Sequence, residues 1–458
     1  MKRKIAAIAA VILAMSMTLT ACGGGNDGDT AETSGDTQIN VITDGELVGT
    51  SGEGEGETGS ETEFVDPADL LGITGDVTDV PGVSEGEVSE ETTLPENHED
   101  IVSMIEAGVT TAPKEAVMTE YNVDCTERYG YNQLTAEEQK LYRDILEAAK
   151  SIDLKVPLDE SVTDEMWVKV FGLVYNQEPE LFWLSAAKTA KGRLWYWEIE
   201  PDIIASMQAE IDAKVGEIMG AVSGMSDWEK LEYFHDYIVL HNNFVKDNSG
   251  DTTTIYSAFT KGTIQCSGYA KSMQYLCDLA GIESMVVVGT NDSNDSHAWN
   301  VVKVDGDWYN LDTTWDDPIL KEVVENNIRH RYFLVPDEWI HEKSHFNVNK
   351  KVTGTAVTYF DPPACTKSDL NYFKVKGLVY SDKDSADKAL RDMLKECAEK
   401  GLRAAEIRVD SKAVYDELTS SAALKEYASW IKGENSKVTS VASNCDPNTL
   451  VIELDLVY

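Results

Sequence analysis

The stretch GTIQCSGYAKSMQYLC, residues 262–277, decides the fold, because it predicts a helix that begins on a cysteine. From Cys266 onward, small or apolar residues recur every three or four positions as far as Cys277, which is typical of an amphipathic helix. Gly281 is a suitable helix stop, and the apolar run SMVVVG follows at residues 284–289. The stretch therefore predicts a helix that is followed by a buried strand.

The two cysteines of this helix occupy different positions. Cys277 lies three turns, about 16 Å, beyond Cys266 and within the apolar stripe, where it would fill the core. Cys266 lies at the helix N-terminus, where unpaired N–H groups and the helix dipole favour a thiolate. Its neighbours Ser267 and Gly268 are small and leave room for a substrate. Cys266 is thus a candidate nucleophile, and a buried structural cysteine is the alternative.

A candidate base and a candidate orienting acid occur in SHAWNVVKVDGDWYNLDTTWDDP, residues 296–318. Asp305-Gly306 suits a two-residue type I′ turn, which would pair Val304 with Asp307. In that register His297 and Asp312 are diagonal neighbours on one face of the hairpin, within reach of a hydrogen bond. A three-residue loop with a bulge would shift the register and weaken this argument.

These blocks closely resemble the transglutaminase-like superfamily, a papain-related fold that is widespread in bacterial surface proteins. The resemblance covers about residues 225–350, including WEKLEYFHDYI (228–238) before the cysteine and YFLVPDEWIHEKSH (332–345) after the aspartate. It implies an α+β fold in which the cysteine-bearing helix packs on an antiparallel sheet. It also implies that catalysis needs no metal and no other cofactor.

The resemblance further implies a role for each member of the triad. Cys266 corresponds to the nucleophile, His297 to the general base and acid, and Asp312 to the group that orients the imidazole. The second donor to the oxyanion is left open, with Gln265 and Tyr256 as candidates because they lie near Cys266 in the sequence.

Trp299 is a further candidate for substrate binding, because it lies between His297 and the position opposite Asp312 in the predicted hairpin. Core packing across the strands is the alternative for this tryptophan.

The predicted chemistry is attack of a thiolate on an amide carbonyl, with a thioester intermediate. Hydrolysis is favoured, because water outcompetes amines unless a site excludes it. A transamidase that crosslinks proteins and a catalytically silent binding module are the alternatives.

Two other patterns have simpler interpretations. HEKSH, residues 341–345, matches the His-Glu-x-x-His pattern of zinc peptidases, but its surroundings are polar and the sequence offers no third ligand. His235 and Asp236 are adjacent, so on a helix their side chains point about 100° apart, and we expect surface or capping roles. His330 is expected to be solvated.

The N-terminus predicts export. In residues 1–22 a basic start precedes a short apolar run that ends in Leu-Thr-Ala-Cys, which fits a signal peptide rather than a membrane span. The ending resembles the lipobox of bacterial lipoproteins, in which the cysteine, here Cys22, is acylated. The expected location is the bacterial cell membrane, with the protein lipid-anchored and facing the extracytoplasmic side.

Residues 23–113 contain 23 Asp and Glu and no Lys or Arg, so they carry much of the formal net charge of −42. A segment this polar cannot bury enough apolar surface to fold, and it predicts a disordered acidic linker. The strong negative charge argues against nucleic acid as a partner. The expected substrate is a peptide or a protein of the cell wall or the extracellular space.

The rest of the chain divides into three parts. Residues 114–220 predict a mainly helical region in which Thr135 and Glu138 have the spacing of a capping box. Residues 221–350 form the predicted catalytic core. Residues 365–458 predict a small α/β domain of βαβ type, with a strand at 372–381 and one helix over 412–432 among its elements.

Overall fold

The computed structural model describes residues 38–43, 46–49, 121–246, 251–291, 295–318, 328–341, 344–346, 360–402 and 404–458. The predicted signal peptide, its lipidation site Cys22 and most of the acidic segment 23–113 lie outside these residues. Within the described part of the chain, no helix is both long enough and apolar enough to cross a membrane.

Within the described residues 121–221, the N-terminal region contains three α-helices and one hairpin. Two short strands, β1 (Gln38–Thr43) and β2 (Glu46–Gly49), precede this region. Its own elements are α1 (Ala136–Lys150), α2 (Asp164–Gln177), β3 (Leu184–Ala190), β4 (Arg193–Tyr196) and α3 (Pro201–Ala221). The predicted capping box starts α1: Glu138 donates its N–H to the Thr135 hydroxyl and accepts the N–H of Thr135. These two bonds satisfy donors that the first turn leaves unpaired.

The central region holds the cysteine helix and a four-stranded antiparallel sheet. Its elements are α4 (Asp227–His241), β5 (Asn243–Phe244), a π-helical turn (Ser257–Lys261), β6 (Thr263–Ile264), α5 (Cys266–Ala280), β7 (Ser284–Asn291), β8 (Ser296–Val304), β9 (Asp307–Leu311), α6 (Asp337–Ile340) and β10 (His345–Phe346). The sheet order is β10-β7-β8-β9. Helix α5 begins at Cys266 and ends before Gly281, whose φ of 73° is left-handed, as predicted.

Helices cover both faces of this sheet. Successive residues of a strand point to opposite faces, so neighbouring residues of β7 and β8 pack against different helices. Val286 and Ala298 pack with Ala270 of α5. Val287 and Trp299, which are paired across β7 and β8, pack with α1 and α2 on the other face. The predicted α+β architecture, with the cysteine helix on an antiparallel sheet, is therefore confirmed.

The β8–β9 hairpin has the predicted register. Asp305 and Gly306 both have positive φ, 52° and 89°, as a type I′ turn requires. Val304 pairs with Asp307, and the ladder continues without a shift to the pair of Asn300 and Leu311. Asp312 follows directly, so the turn fixes its position relative to β8.

The C-terminal domain contains α7 (Tyr372–Val375), β11 (Val379–Tyr380), α8 (Lys383–Lys400), β12 (Ala404–Val409), α9 (Lys412–Leu418), α10 (Ser421–Glu434), β13 (Ser440–Cys445) and β14 (Val451–Val457). The sheet order is β11-β12-β14-β13-β1-β2. β11 and β12 are parallel and α8 connects them, so this part is the predicted βαβ unit. The other pairs are antiparallel.

Two predicted elements of this domain were wrong. Residues 372–381 begin as helix α7 instead of a strand, because Tyr372 stacks on His330 with ring centroids 3.7 Å apart and Phe373 is buried. The predicted helix over 412–432 is two helices, since the Ser420 side chain accepts the N–H of Ala423 and starts α10.

Strands β1 and β2 correct the predicted disorder for two short ranges of the acidic segment. β1 pairs antiparallel with β13, and β2 pairs with β1. The composition of a ninety-residue segment averages over its parts, so it hides the short alternating run QINVIT at residues 38–43. This run forms β1, which pairs with the edge strand β13, and β2 pairs in turn with β1. The backbone groups at that edge of β13 would otherwise be unpaired.

Buried contacts between basic side chains and carboxylates join the core to the C-terminal domain. The sequence Arg-His-Arg at residues 329–331 lies against carboxylates of β12 and β14. The contacts are Arg329 Nη2 to Asp455 Oδ2 at 2.7 Å, His330 Nδ1 to Glu406 Oε1 at 2.6 Å and Arg331 Nη2 to Glu453 Oε2 at 2.8 Å. Each buried charge thus has a partner, as burial demands.

Candidate active site

Cys266 is the first residue of α5 and is half-buried. Its side chain packs against the cluster of Ala270, Val286, Val288 and Ala298, so the helix start is held against the sheet. Gly268 permits this approach, because a Cβ there would lie 2.8 Å from both Ile264 Cβ and the Thr252 carbonyl oxygen. Cys277 is fully buried, as predicted for a core residue, and burial raises the pKa of its thiol.

The structure brings His297 and Asp312 together beside Cys266. His297 Nε2 lies 2.6 Å from Asp312 Oδ2, and both side chains are buried. Because Asp312 occupies Nε2, Nδ1 is the imidazole nitrogen left for Cys266. The three predicted residues thus form one cluster in the order nucleophile, base and orienting acid.

The electrostatics of this cluster favour a charged thiol and imidazole pair. Burial alone would raise the pKa of Cys266, but the hydrogen bond and charge of His297 and the backbone N–H of Ala298 lower it below its usual value. Burial alone would lower the pKa of His297, but the charge and hydrogen bond of Asp312 raise it to about 10. A thiolate beside an imidazolium is the reactive form of such a pair.

Asp312 is held by four hydrogen bonds. Its Oδ1 accepts the backbone N–H groups of Thr314 at 3.0 Å and Trp315 at 3.2 Å. Its Oδ2 accepts from His297 and also from His345 Nε2, at 2.7 Å. Burial opposes the charge, but the charge of His297 and these bonds keep the pKa of Asp312 well below its usual range. Asp312 is therefore an ionised and rigidly placed acceptor.

His345 is the member of the site that the sequence reasoning missed. It lies in HEKSH, whose two histidines do not share the helical face of a zinc peptidase: α6 ends at Ile340, and His341 and His345 meet in a parallel β-bridge. Ser344 Oγ lies 2.9 Å from His345 Nδ1. The resemblance already placed a histidine at the end of this block, which was the available signal.

The three residues predicted to bind substrate have different environments. Trp299 is only 1% exposed and donates its indole N–H to Asn310 Oδ1, so it packs in the core and does not line a groove. Tyr256 donates its hydroxyl to Glu210 of α3 at 3.1 Å, which does not favour it as an oxyanion donor. Gln265 is half-buried and is the residue before α5, next to Cys266.

The expected surface roles of His235, Asp236 and His330 were wrong. All three are buried. His235 Nδ1 lies 2.8 Å from Asp236 Oδ1 although the two residues are adjacent on α4. In the described part of the chain, this group and the group of His297, Asp312 and His345 are the two that could hold a metal ion.

Residues 215–313, which include the candidate triad, match the family model described as the transglutaminase-like superfamily. Human kyphoscoliosis peptidase is 26% identical over 98 residues, which span 19% of this chain and 15% of that protein's length. The chain therefore corresponds to a small part of this relative.

Two solved structures are also similar over part of the chain. One is described as a TGase, with 18% identity over 26% of this chain and 34% of that chain and a TM-score of 0.23. The other, from Cytophaga hutchinsonii, is described provisionally as a cysteine protease, with 17% identity, coverage of 29% and 46% and a TM-score of 0.22. The family match supports a thiol enzyme of this general kind. Residues 215–313 therefore carry a transglutaminase-like domain.

Proposed function

We propose that this protein is a thiol hydrolase that attacks amide bonds through Cys266, His297 and Asp312. The observation that carries this proposal is the hydrogen bond of 2.6 Å between His297 and Asp312 beside a cysteine whose pKa is lowered. A buried cysteine that only filled space would have a raised pKa, as Cys277 has. The perturbation in the opposite direction supports a reactive thiol.

In the proposed mechanism, the Cys266 thiolate adds to the amide carbonyl carbon. Negative charge then develops on the carbonyl oxygen, where the backbone N–H of Cys266 can stabilise it, since the first turn of a helix leaves such groups unpaired. His297 donates its proton to the leaving amine and a thioester remains. His297 then takes a proton from water, which attacks the thioester and releases the acid and the free thiolate.

Asp312 has a positioning role in this mechanism. It binds His297 Nε2 and so keeps Nδ1 directed to the sulfur. Its charge also stabilises the imidazolium that must form in the resting pair. The bonds from the backbone of Thr314 and Trp315 keep this carboxylate in place while the proton moves.

The proposed setting is the outer face of a bacterial membrane, with a lipid anchor on Cys22. The basic and apolar start of the chain and its Leu-Thr-Ala-Cys ending support this location. Substrates there would be peptides or proteins of the cell wall or the extracellular space. The net charge of −42 argues against a nucleic-acid substrate.

Alkylation of the full chain with iodoacetamide across pH, followed by peptide mass spectrometry, tests this proposal. We expect Cys266 to react selectively well below pH 8, and to lose this reactivity in His297→Ala. Buried Cys277 is the internal control. If Cys266 reacts no faster than Cys277, the protein is a binding module and the proposal fails.

A second assay separates hydrolysis from transfer. Peptide substrates are incubated with and without an excess of a primary amine, and the products are identified by mass. The free acid as the main product in both conditions supports a hydrolase. An amine-linked product that replaces the acid would instead make the protein a transamidase.

A further inference from the structure

A second buried group of histidines and carboxylates lies apart from Cys266, where α4 meets the Arg-His-Arg segment. His235 Nδ1 and His330 Nε2 lie 2.8 Å and 3.0 Å from the same oxygen, Asp236 Oδ1. All three side chains are buried, and their ligand atoms lie within 4.8 Å of one another. Two imidazole nitrogens and one carboxylate therefore converge on one small volume.

The other nitrogen of each imidazole is held by a further carboxylate. His235 Nε2 lies 3.2 Å from Asp316 Oδ2, and His330 Nδ1 lies 2.6 Å from Glu406 Oε1. A carboxylate on the far nitrogen is the usual partner of a metal-binding histidine, because it fixes the ring orientation and makes the near nitrogen a better donor. Both histidines of this group have that partner.

The dimensions suit a small divalent ion. Zinc bonds of about 2.0–2.1 Å in a tetrahedron separate two ligand atoms by about 3.3 Å. The contacts of 2.8 Å and 3.0 Å at Asp236 would need to open by only a few tenths of an ångström. Each histidine releases a proton when its near nitrogen binds the metal. The three buried carboxylates around the two imidazoles then supply the negative charge that a cation needs.

The triad does not share this arrangement, although Asp312 also lies between two histidines. The second ring nitrogen of His345 meets the Ser344 hydroxyl, and that of His297 is left for Cys266. Neither His297 nor His345 therefore has a carboxylate on the ring nitrogen that faces away from Asp312. The group at His235 is thus the better metal site of the two.

We infer that His235, Asp236 and His330 bind one zinc ion, which joins α4 of the core to the segment that docks on the C-terminal domain. Nitrogen and carboxylate oxygen are ordinary zinc ligands. Burial of all three ligands closes the site to substrates. This ion takes no part in the proposed thiol chemistry, so the inference does not depend on the proposed function.

The test uses the full chain, stripped with dipicolinate, reloaded with zinc chloride and freed of unbound metal. Elemental analysis should then find about one zinc per chain, as one closed site requires. Asp236→Asn and His330→Phe should each lose most of this zinc. The matched control is His345→Phe, the same change in the other His-Asp-His group, and it should keep the zinc.

A measurement on the wild type covers the case in which these variants fail to fold. X-ray absorption at the zinc edge should show two imidazoles and oxygen, without sulfur. Zinc should also raise the thermal midpoint of the stripped protein. The inference would be overturned if the reloaded wild type held no zinc, or if His345→Phe lost the zinc. A sulfur ligand in the absorption spectrum would overturn it as well, because it would place the ion at Cys266.

Discussion

His345 Nε2 lies 2.7 Å from Asp312 Oδ2, the oxygen that also accepts the hydrogen bond of His297. Since Ser344 Oγ contacts the other ring nitrogen, both nitrogens of His345 are engaged. The Asp312 oxygen that accepts from His297 is consequently held by His345 as well. A shift of His345 would move the acceptor that orients the candidate base.

This relationship predicts that His345 acts through Asp312. In His345→Phe, kcat should fall about tenfold while KM changes little, because a supporting hydrogen bond is lost without a substrate contact. His345→Gln retains a donor and should recover most of the activity. The measurement is steady-state kinetics on a peptide that the wild type cleaves. Equal losses in both variants would show that His345 contributes only packing.

The charged pair of Cys266 and His297 predicts a bell-shaped dependence of kcat/KM on pH. The rise should come below the ordinary cysteine pKa of about 8.5, because His297 lowers the pKa of Cys266. The fall should come near pH 10, where His297 loses its proton, since its pKa is raised to about 10. A profile that only begins to rise above pH 9 would contradict the charged pair.

The part of the site that the sequence predicts is the part that depends on local pattern. The helix start at Cys266 follows from periodicity over residues 266–280 and a glycine stop. The closeness of His297 and Asp312 follows from one Asp-Gly turn, because a two-residue turn fixes every pair of the hairpin.

The contacts that the sequence did not predict join residues far apart in the chain. His345 is 33 residues from Asp312, and His330 is 76 residues from Glu406. The sequence around His330 is rich in charge, which is typical of a solvated segment. Residues 329–331 are buried because each charged side chain has a partner in the C-terminal sheet. No pattern in the neighbouring sequence predicts that partner.

The interface between core and C-terminal domain offers a test of buried charge. Arg331 binds Glu453 through two contacts, at 2.8 Å and 3.2 Å, and both side chains are almost fully buried. Glu453→Leu removes the carboxylate partner of Arg331 and one of the two carboxylates that Arg329 contacts. It should lower the free energy of unfolding by ~3–5 kcal/mol.

The double variant Arg331→Met/Glu453→Leu separates the cost of an unpaired charge from the value of the pair. It should recover most of the loss, because apolar side chains of similar size need no partner. Urea unfolding of the full chain, followed by fluorescence, measures all three proteins. A single variant that costs under ~1 kcal/mol would mean that water reaches Arg331.

The close approach at Gly268 predicts a loss of both stability and thiol reactivity in Gly268→Ala. The new methyl would lie 2.8 Å from a backbone oxygen of Thr252, which cannot swing away as a side chain would. The strain should lower the free energy of unfolding by ~1–3 kcal/mol. It should also slow alkylation of Cys266, because the start of α5 must shift.

Gly433→Ala is the matched control, since Gly433 is also helical and a Cβ there would meet nothing within 4 Å. Alanine should stabilise that helix by up to about 1 kcal/mol and leave alkylation unchanged. Urea unfolding and the alkylation rate are measured on both variants. If Gly268→Ala behaved like Gly433→Ala, the start of α5 would tolerate a side chain at residue 268. The tight packing of α5 against residues 252–264 would then not determine the position of Cys266.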